Sequence, residues 1–264
     1  MTDHSHTNRS HLPAGASPAP PAALGWQMSL LFVALLLVFV YLPIDVELPI
    51  SLFALMFSGV LLAVSFAVRT QRNLRGLSIV LALLPVSLSW AATLLVLPPT
   101  WLELSAFAAS AIFVVYTMAI IVVQLVHVQI VSVHTITGAL SLYLLLGILG
   151  GLLFAIIETA VPGSLAYNAG GSLTHIERTV DLFPPMLYFS FTTLTTLGFG
   201  DLYPVSATAR AVAILEAVAG QMYLVVMVAV LVSMFAAERS RRDREHVEHG
   251  QRDPHPPATT DRQN

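Results

Sequence analysis

The chain has 264 residues, of which 56% are hydrophobic and 10% charged, against roughly 25% charged in a soluble domain. Its formal net charge is −3 and all 12 basic residues are arginine; so small and mixed a balance gives no footprint for a nucleic-acid partner. Cysteine is absent, which excludes disulfide frameworks, Cys-ligated zinc, iron–sulfur clusters and thiol catalysis and leaves the redox compartment unreadable.

What remains is a membrane protein, in which a spanning helix needs about 20 apolar residues. Residues 1–24, rich in His, Pro, Ala and Ser, read as a disordered polar tail. His4, His6 and His11 there, like His246, His249 and His255 at the other end, repeat at no metal-ligand spacing. Stretches free of Asp, Glu, Arg and His follow at 25–44, 48–68, 76–102, 104–126, 135–157 and 182–200. A seventh, 211–237, is interrupted only by Glu216, and 238–264 is a short charged tail. The third and fourth are separated by Glu103, with Pro98, Pro99 and Thr100 marking the turn. No small-residue cleavage pattern follows the first, so a signal peptide is not expected.

The sixth stretch differs from the others. It carries Pro184-Pro185, Thr192, Thr193, Thr195 and Thr196 and closes on Gly198 and Gly200, a poor composition for a continuous span. Arginine placement decides between six spans and seven, because cytoplasmic flanks carry the excess of positive charge. Six spans with a cytoplasmic N-terminus put Arg9, Arg69, Arg72, Arg75 and six tail arginines inside, ten in all, and leave Arg178 and Arg210 outside. Seven spans reverse the bias, with five inside and seven outside. The expectation is therefore six spans, both termini cytoplasmic, and a re-entrant 182–200.

Irregular backbone at membrane depth is tolerated where protein buries it or where it lines water. Here a short helix, roughly 185–195, leads into Thr196-Leu197-Gly198-Phe199-Gly200-Asp201. Alternating glycines allow backbone angles that other residues resist, so successive carbonyls can point the same way. Such a row replaces the hydration shell of a bare cation when several chains supply rows around one axis. The mechanism requires an oligomer.

These residues resemble the potassium-channel signature, usually written T-V-G-Y-G-D. The similarity runs from Thr195 through Tyr203-Pro204 to Arg210 and an apolar helix, with Gly220, 19 residues after Asp201, where potassium channels commonly place a hinge. It covers roughly 135–235 and implies outer helix, turret, pore helix, filter and inner helix, in a class akin to bacterial "two-pore-domain-like" channels with a single pore loop. The resemblance implies ion sites at the carbonyls of Thr196, Leu197, Gly198 and Phe199, with the Thr196 hydroxyl at the innermost one and Gly200 closing the row. Leu197 replaces the usual Val and Phe199 the usual Tyr; the frequent pore-helix Glu is replaced by Thr192. Without that phenol and that acid the filter is expected to be less firmly braced than is usual.

Glu216 is the ionisable residue deepest in an expected span, where a carboxylate is costly. At 100° per residue it lies about 140° from Gln221, which the resemblance turns towards the cavity. Glu216 is therefore expected to face the pore helix, bracing the filter with Asp201 and with Thr192 or Thr193; a packing role is the plainer reading. Gln221, Leu224, Val228 and Val232 would line the inner cavity, with Gly220 as hinge. The fourth span lacks the repeated arginines of a voltage sensor, so voltage insensitivity is expected. His127 and His134 flank the connector into the pore; their charge changes near neutral pH, and the sequence leaves open whether they gate or sit passively. The turret, 158–181, reads as a flexible loop. Residues 237–249 favour helix, and Arg239, Arg241, Arg242 and Arg244 suit either anionic lipid headgroups or a solvated helix end.

Other classes are weighed against this. Gly198-Phe199-Gly200-Asp201 fits the G-x-G-D pattern of intramembrane aspartyl proteases, but such chemistry needs a second carboxylate and 135–157 offers no Asp. H-E-x-x-H and G-x-S-x-G are absent. A transporter would show two related broken segments, and one is visible. Nearer rivals are a weakly selective monovalent cation channel and a pore subunit that does not conduct alone. The expectation is an all-α membrane protein of six transmembrane helices plus a re-entrant pore helix and filter loop, divided into 1–24 (tail), 25–134 (four-helix domain), 135–237 (pore) and 238–264 (tail). It assembles as a homotetramer in the cell membrane and conducts potassium with no catalysis, no cofactor beyond the transported ion and no soluble substrate.

Overall fold

The computed structural model describes residues 29, 31–36, 75–95, 98–126, 133–168 and 179–252. The tail 1–24, most of the expected first span, the whole second span, His127 and residues 253–264 lie outside them. In chain order the elements are α1 (Arg75–Leu94), α2 (Thr100–Val126), α3 (Val133–Ala160), β1 (Leu165–Tyr167), α4 (Thr179–Leu194), β2 (Leu202–Pro204) and α5 (Ala207–Arg252). A helical stretch at 31–36 precedes them and buries Leu31 and Leu35.

Three helices among the described residues are long and apolar enough to cross a membrane: Thr100–Val126, Thr135–Ala160 and Ala207–Ser233. The expected third span, 76–102, is shorter than the sequence suggested. Its helix stops at Leu94, and Trp101, Leu102 and Glu103 belong to α2 instead. Proline disfavours helical geometry in the residue before it, so Pro98-Pro99 ends one helix. The Pro99 carbonyl then accepts from Leu102 N–H at 2.9 Å and opens the next. Glu103 consequently lies in the first turn of α2, where the helix dipole favours an acid.

Helix α3 is the hub, packed against α2, α4 and α5. A stripe of glycines on α3 lets α4 approach closely, as small residues do between membrane helices. A Cβ added at Gly147 would sit 2.4 Å from the Phe191 ring, and one at Gly151 would sit 2.9 Å from Leu187 Cα. Around that seam Phe154 meets Phe189 edge to face, centroids 4.8 Å apart, a favoured aromatic geometry. Leu145, Leu152, Met186, Leu187 and Leu194 complete a buried core.

The all-α expectation needs one correction. β1 and β2 form an antiparallel pair in the register Leu165↔Pro204, Ala166↔Tyr203, Tyr167↔Leu202. Three-residue strands are too short to show a period-2 pattern. They tie the turret to the segment leaving the glycine-rich loop, and the first part of that turret is ordered rather than a free loop. Glu158, at the end of α3, accepts from Gly163 N–H at 2.7 Å and Leu165 N–H at 2.9 Å.

Helix α5 spans 46 residues, about 69 Å at 1.5 Å per residue, and runs without a break past the expected 237/238 boundary. Among its described side chains only a narrow stripe is buried, including Ala209, Glu216 and Gly220, while Leu215, Val218, Met222, Val225 and Val228 are exposed.

Candidate functional site: a re-entrant helix and an alternating loop

The helix leading into the loop is longer than expected, Thr179–Leu194 rather than 185–195. Pro184 and Pro185 lie inside it. Proline lacks the N–H that would bond the carbonyl four residues back, so the fully bonded part of α4 begins after them.

The loop is anchored on the end of α4. Thr195 N–H bonds Phe191 O at 3.0 Å, Thr196 N–H bonds Thr193 O at 3.0 Å, and Gly198 N–H bonds Thr192 O at 3.1 Å. Beyond this anchor the backbone alternates in hand. Thr196, Gly198 and Gly200 have φ of 58°, 54° and 75°, and among the described residues Leu197 and Phe199 are not in the positive-φ set. Alternation of hand from residue to residue turns successive peptide units so that like groups face one side, as successive backbone N–H groups do in anion-binding concavities. Glycine adopts such angles at little cost. Thr196 does not, since positive φ in a β-branched residue is a true outlier, and strain of this kind clusters at functional sites. Residues 195–201 are all exposed in the single chain.

The far end of the loop is braced by a residue the sequence reading missed. Tyr188, on α4, donates its hydroxyl to Asp201 Oδ2 at 2.9 Å. Its ring lies parallel to Phe199, centroids 6.4 Å apart and 3° between planes. A phenol on α4 thus ties the end of the loop back to the helix that precedes it. The only available clue was that Tyr188 lies one helical turn before Thr192. Asp201 Oδ1 accepts from Leu202 N–H and Asp201 O accepts from Asn168 N–H at 2.7 Å, which joins the loop exit to the β1–β2 clasp.

Glu216 points towards α4, but its partner is not Thr192 or Thr193. The carboxyl contacts the Ser190 hydroxyl; that hydroxyl also lies 2.6 Å from Gly147 O on α3. Thr192 is buried with its hydroxyl bonded to Phe189 O at 2.9 Å, so it is not free to reach Glu216. Gly220 lies in unbroken helix, and a Cβ there would sit 2.6 Å from Leu194 O. Close approach of α5 to the end of α4 is the packing reason for that glycine. Gln221, Leu224, Val228 and Val232 share one exposed face of α5, turned away from the buried stripe. Arg239 is exposed; the side chains of Arg241, Arg242 and Arg244 lie outside the described residues.

Two helices long and apolar enough to cross a membrane, Thr135–Ala160 and Ala207–Ser233, thus bracket a shorter helix and a loop of alternating backbone hand. Residues 130–237, less than half of the chain, match the family model described as ion channel. Over that segment the chain is similar to the family so described. No solved structure matches the chain. Nothing supports the protease alternative: Asp201 is exposed, is held by Tyr188, and runs directly into β2 rather than into a membrane helix.

Proposed function

We propose that the protein is a potassium-selective channel in which four copies surround one axis, each contributing the row 196–200. The observation that carries this reading is the alternation of backbone hand through Thr196, Gly198 and Gly200. Carbonyl rows of this kind substitute for the hydration shell of potassium, so the carbonyls of Thr196, Leu197, Gly198 and Phe199 are the ion ligands and the Thr196 hydroxyl completes the innermost site. The exposed face bearing Gln221, Leu224, Val228 and Val232 then lines the inner cavity. The unburied apolar surface of α5 supports assembly, since part of it meets neighbouring chains and part meets lipid.

Helix α2 contains no arginine, which supports conduction that is insensitive to voltage. The arginine-rich end of α5 supports a cytoplasmic C-terminus in the cell membrane, near enough to the surface for anionic lipid contact. No cofactor enters the reading beyond the transported ion.

Purified protein in lipid vesicles tests it. Potassium efflux that is blocked by barium, with a reversal potential following the potassium gradient in mixed potassium and sodium, is the expected result. A reversal potential that ignores which of the two ions carries the gradient would replace this reading with the weakly selective channel.

A further inference from the structure

The hydrogen arithmetic at Glu216 points beyond packing. Ser190 has one hydroxyl hydrogen and two oxygens in reach, Gly147 O at 2.6 Å and Glu216 Oε1. A backbone carbonyl can only accept. Two oxygens at 2.6 Å without a hydrogen between them repel, so the Ser190 hydrogen belongs to Gly147 O. The contact between Ser190 and Glu216 then needs its own hydrogen, and the carboxyl is the only group left to supply it. Glu216 Oε2 is buried with no hydrogen-bond partner, an arrangement far less costly for a neutral carbonyl oxygen than for half of a carboxylate. No basic side chain pairs with Glu216 among the described residues.

We infer that Glu216 works as a neutral hydrogen-bond donor, in the chain Glu216 to Ser190 to Gly147 O, and that this chain holds the pore helix in the position the filter needs. The inference rests on the potassium-channel reading and adds proton control to it. Gly150 makes the room: a Cβ there would fall 1.8 Å from Glu216 Oε1 and 2.5 Å from Ser190 Oγ. One node therefore joins outer helix, pore helix and inner helix. Ser190 lies two residues before Thr192, whose carbonyl accepts from Gly198 N–H. Removing the proton leaves one hydroxyl hydrogen for two acceptors and a bare charge in an apolar seam, and α4 must shift to relieve it. Glu216 is a positioning residue, acting on the ion path through Ser190 and Thr192.

Among the described residues the ionisable groups around the node are few. Tyr143 of α3 directs its hydroxyl to Leu194 O at 3.4 Å, and Tyr223 of α5 donates to Ala139 O and packs on Tyr143. α4 presents Ser190, while its Tyr188 is turned to Asp201.

Two readouts on the whole reconstituted protein test this. In infrared difference spectra at neutral pH, a protonated-carboxyl band is expected in the wild type and is expected to vanish in Glu216→Gln. Its absence from the wild type overturns the inference whether or not the protein conducts. Potassium flux measured from acidic to alkaline solution is expected to fall reversibly, by about tenfold, in the wild type. Glu216→Gln, which keeps a donor but cannot ionise, should stay within about twofold. The same alkaline loss in both proteins assigns it to the tyrosines and overturns proton control, as does a flat wild-type profile. No flux in either protein at any pH defeats the channel reading itself, and the band still decides the state of Glu216. Should Glu216→Gln fail to assemble, Ser190→Ala is the second variant. Loss of its acceptor must move the carboxyl band to higher wavenumber, and an unmoved band overturns the chain.

Discussion

Replacing Gly198 by alanine isolates the handedness of the loop backbone from every other property of the site. A Cβ at Gly198 meets nothing within 4 Å, and φ there is 54°, so steric crowding contributes nothing in the single chain and the whole cost is conformational. Holding a non-glycine residue in left-handed geometry costs roughly 1–2 kcal/mol, a factor of about 5–30 in the balance between this backbone and one with the peptide turned over. In the proposed tetramer all four rows must be intact together, and four independent costs sum to about 4–8 kcal/mol. Potassium flux from vesicles is expected to fall by more than about a hundredfold, with assembly by size-exclusion chromatography unchanged.

Gly163 supplies the matched control. It too has positive φ, 86°, and open space around its missing Cβ, but it sits in the turret and its N–H bonds Glu158. Gly163→Ala incurs the same backbone cost away from the loop and should lower thermal stability while leaving the potassium-to-sodium permeability ratio unchanged. Wild-type conduction by Gly198→Ala, or equal loss of conduction in both variants, would refute the view that alternating hand makes the ion path.

Tyr188→Phe deletes the bond to Asp201 Oδ2, worth about 0.5–1.5 kcal/mol; current in low potassium is expected to decay faster, and an unchanged decay removes Tyr188 as the brace. Gly150→Ala pushes a methyl group into Glu216 and Ser190, an overpacking cost of about 1–3 kcal/mol. Melting of the solubilised protein should show it, and Glu216→Ala in the same chain should recover most of the loss; no recovery means the clash lies elsewhere. Tyr167, in β1, has its phenol raised above the ordinary tyrosine value, first by burial and then by the nearby Asp201 charge. A folded value above the unfolded one gives stability that is complete below about pH 10 and lost as pH climbs through the raised value. Amide exchange in β1 should therefore accelerate in strongly alkaline solution, and Tyr167→Phe should abolish that pH dependence.

How much of this was readable in the amino acids depended on whether a residue's role was local. Gly198 and Gly200 could be read because left-handed backbone selects glycine wherever it occurs. Thr196, with φ of 58°, could not: a β-branched residue in that region is held there by its surroundings, here by the bond from its N–H to Thr193 O. Pro184-Pro185 marked a helix start that the chain overrode by beginning α4 at Thr179. The direction of Glu216 was legible, since 100° per residue separates one face of a helix from another. Its partner was not legible, because which residue of α4 lies opposite depends on how closely α3, α4 and α5 approach.

That approach is governed by glycines rather than by hydrophobicity. In a chain this apolar, a hydrophobic residue satisfies lipid and protein equally, so its presence says "membrane" without saying which neighbour it meets. Gly147, Gly150, Gly151 and Gly220 carry the missing information, because each marks a place where another helix's atoms occupy the volume of a side chain. Read in that way, the glycines of α3 point to Phe191, Ser190 with Glu216, and Leu187 in turn, and Gly220 points to Leu194. All but Glu216 lie on α4. The seam that positions the glycine-rich loop is thus written in the residues without side chains, and the single acid inside it could be accommodated only where one of them, Gly150, had left the space.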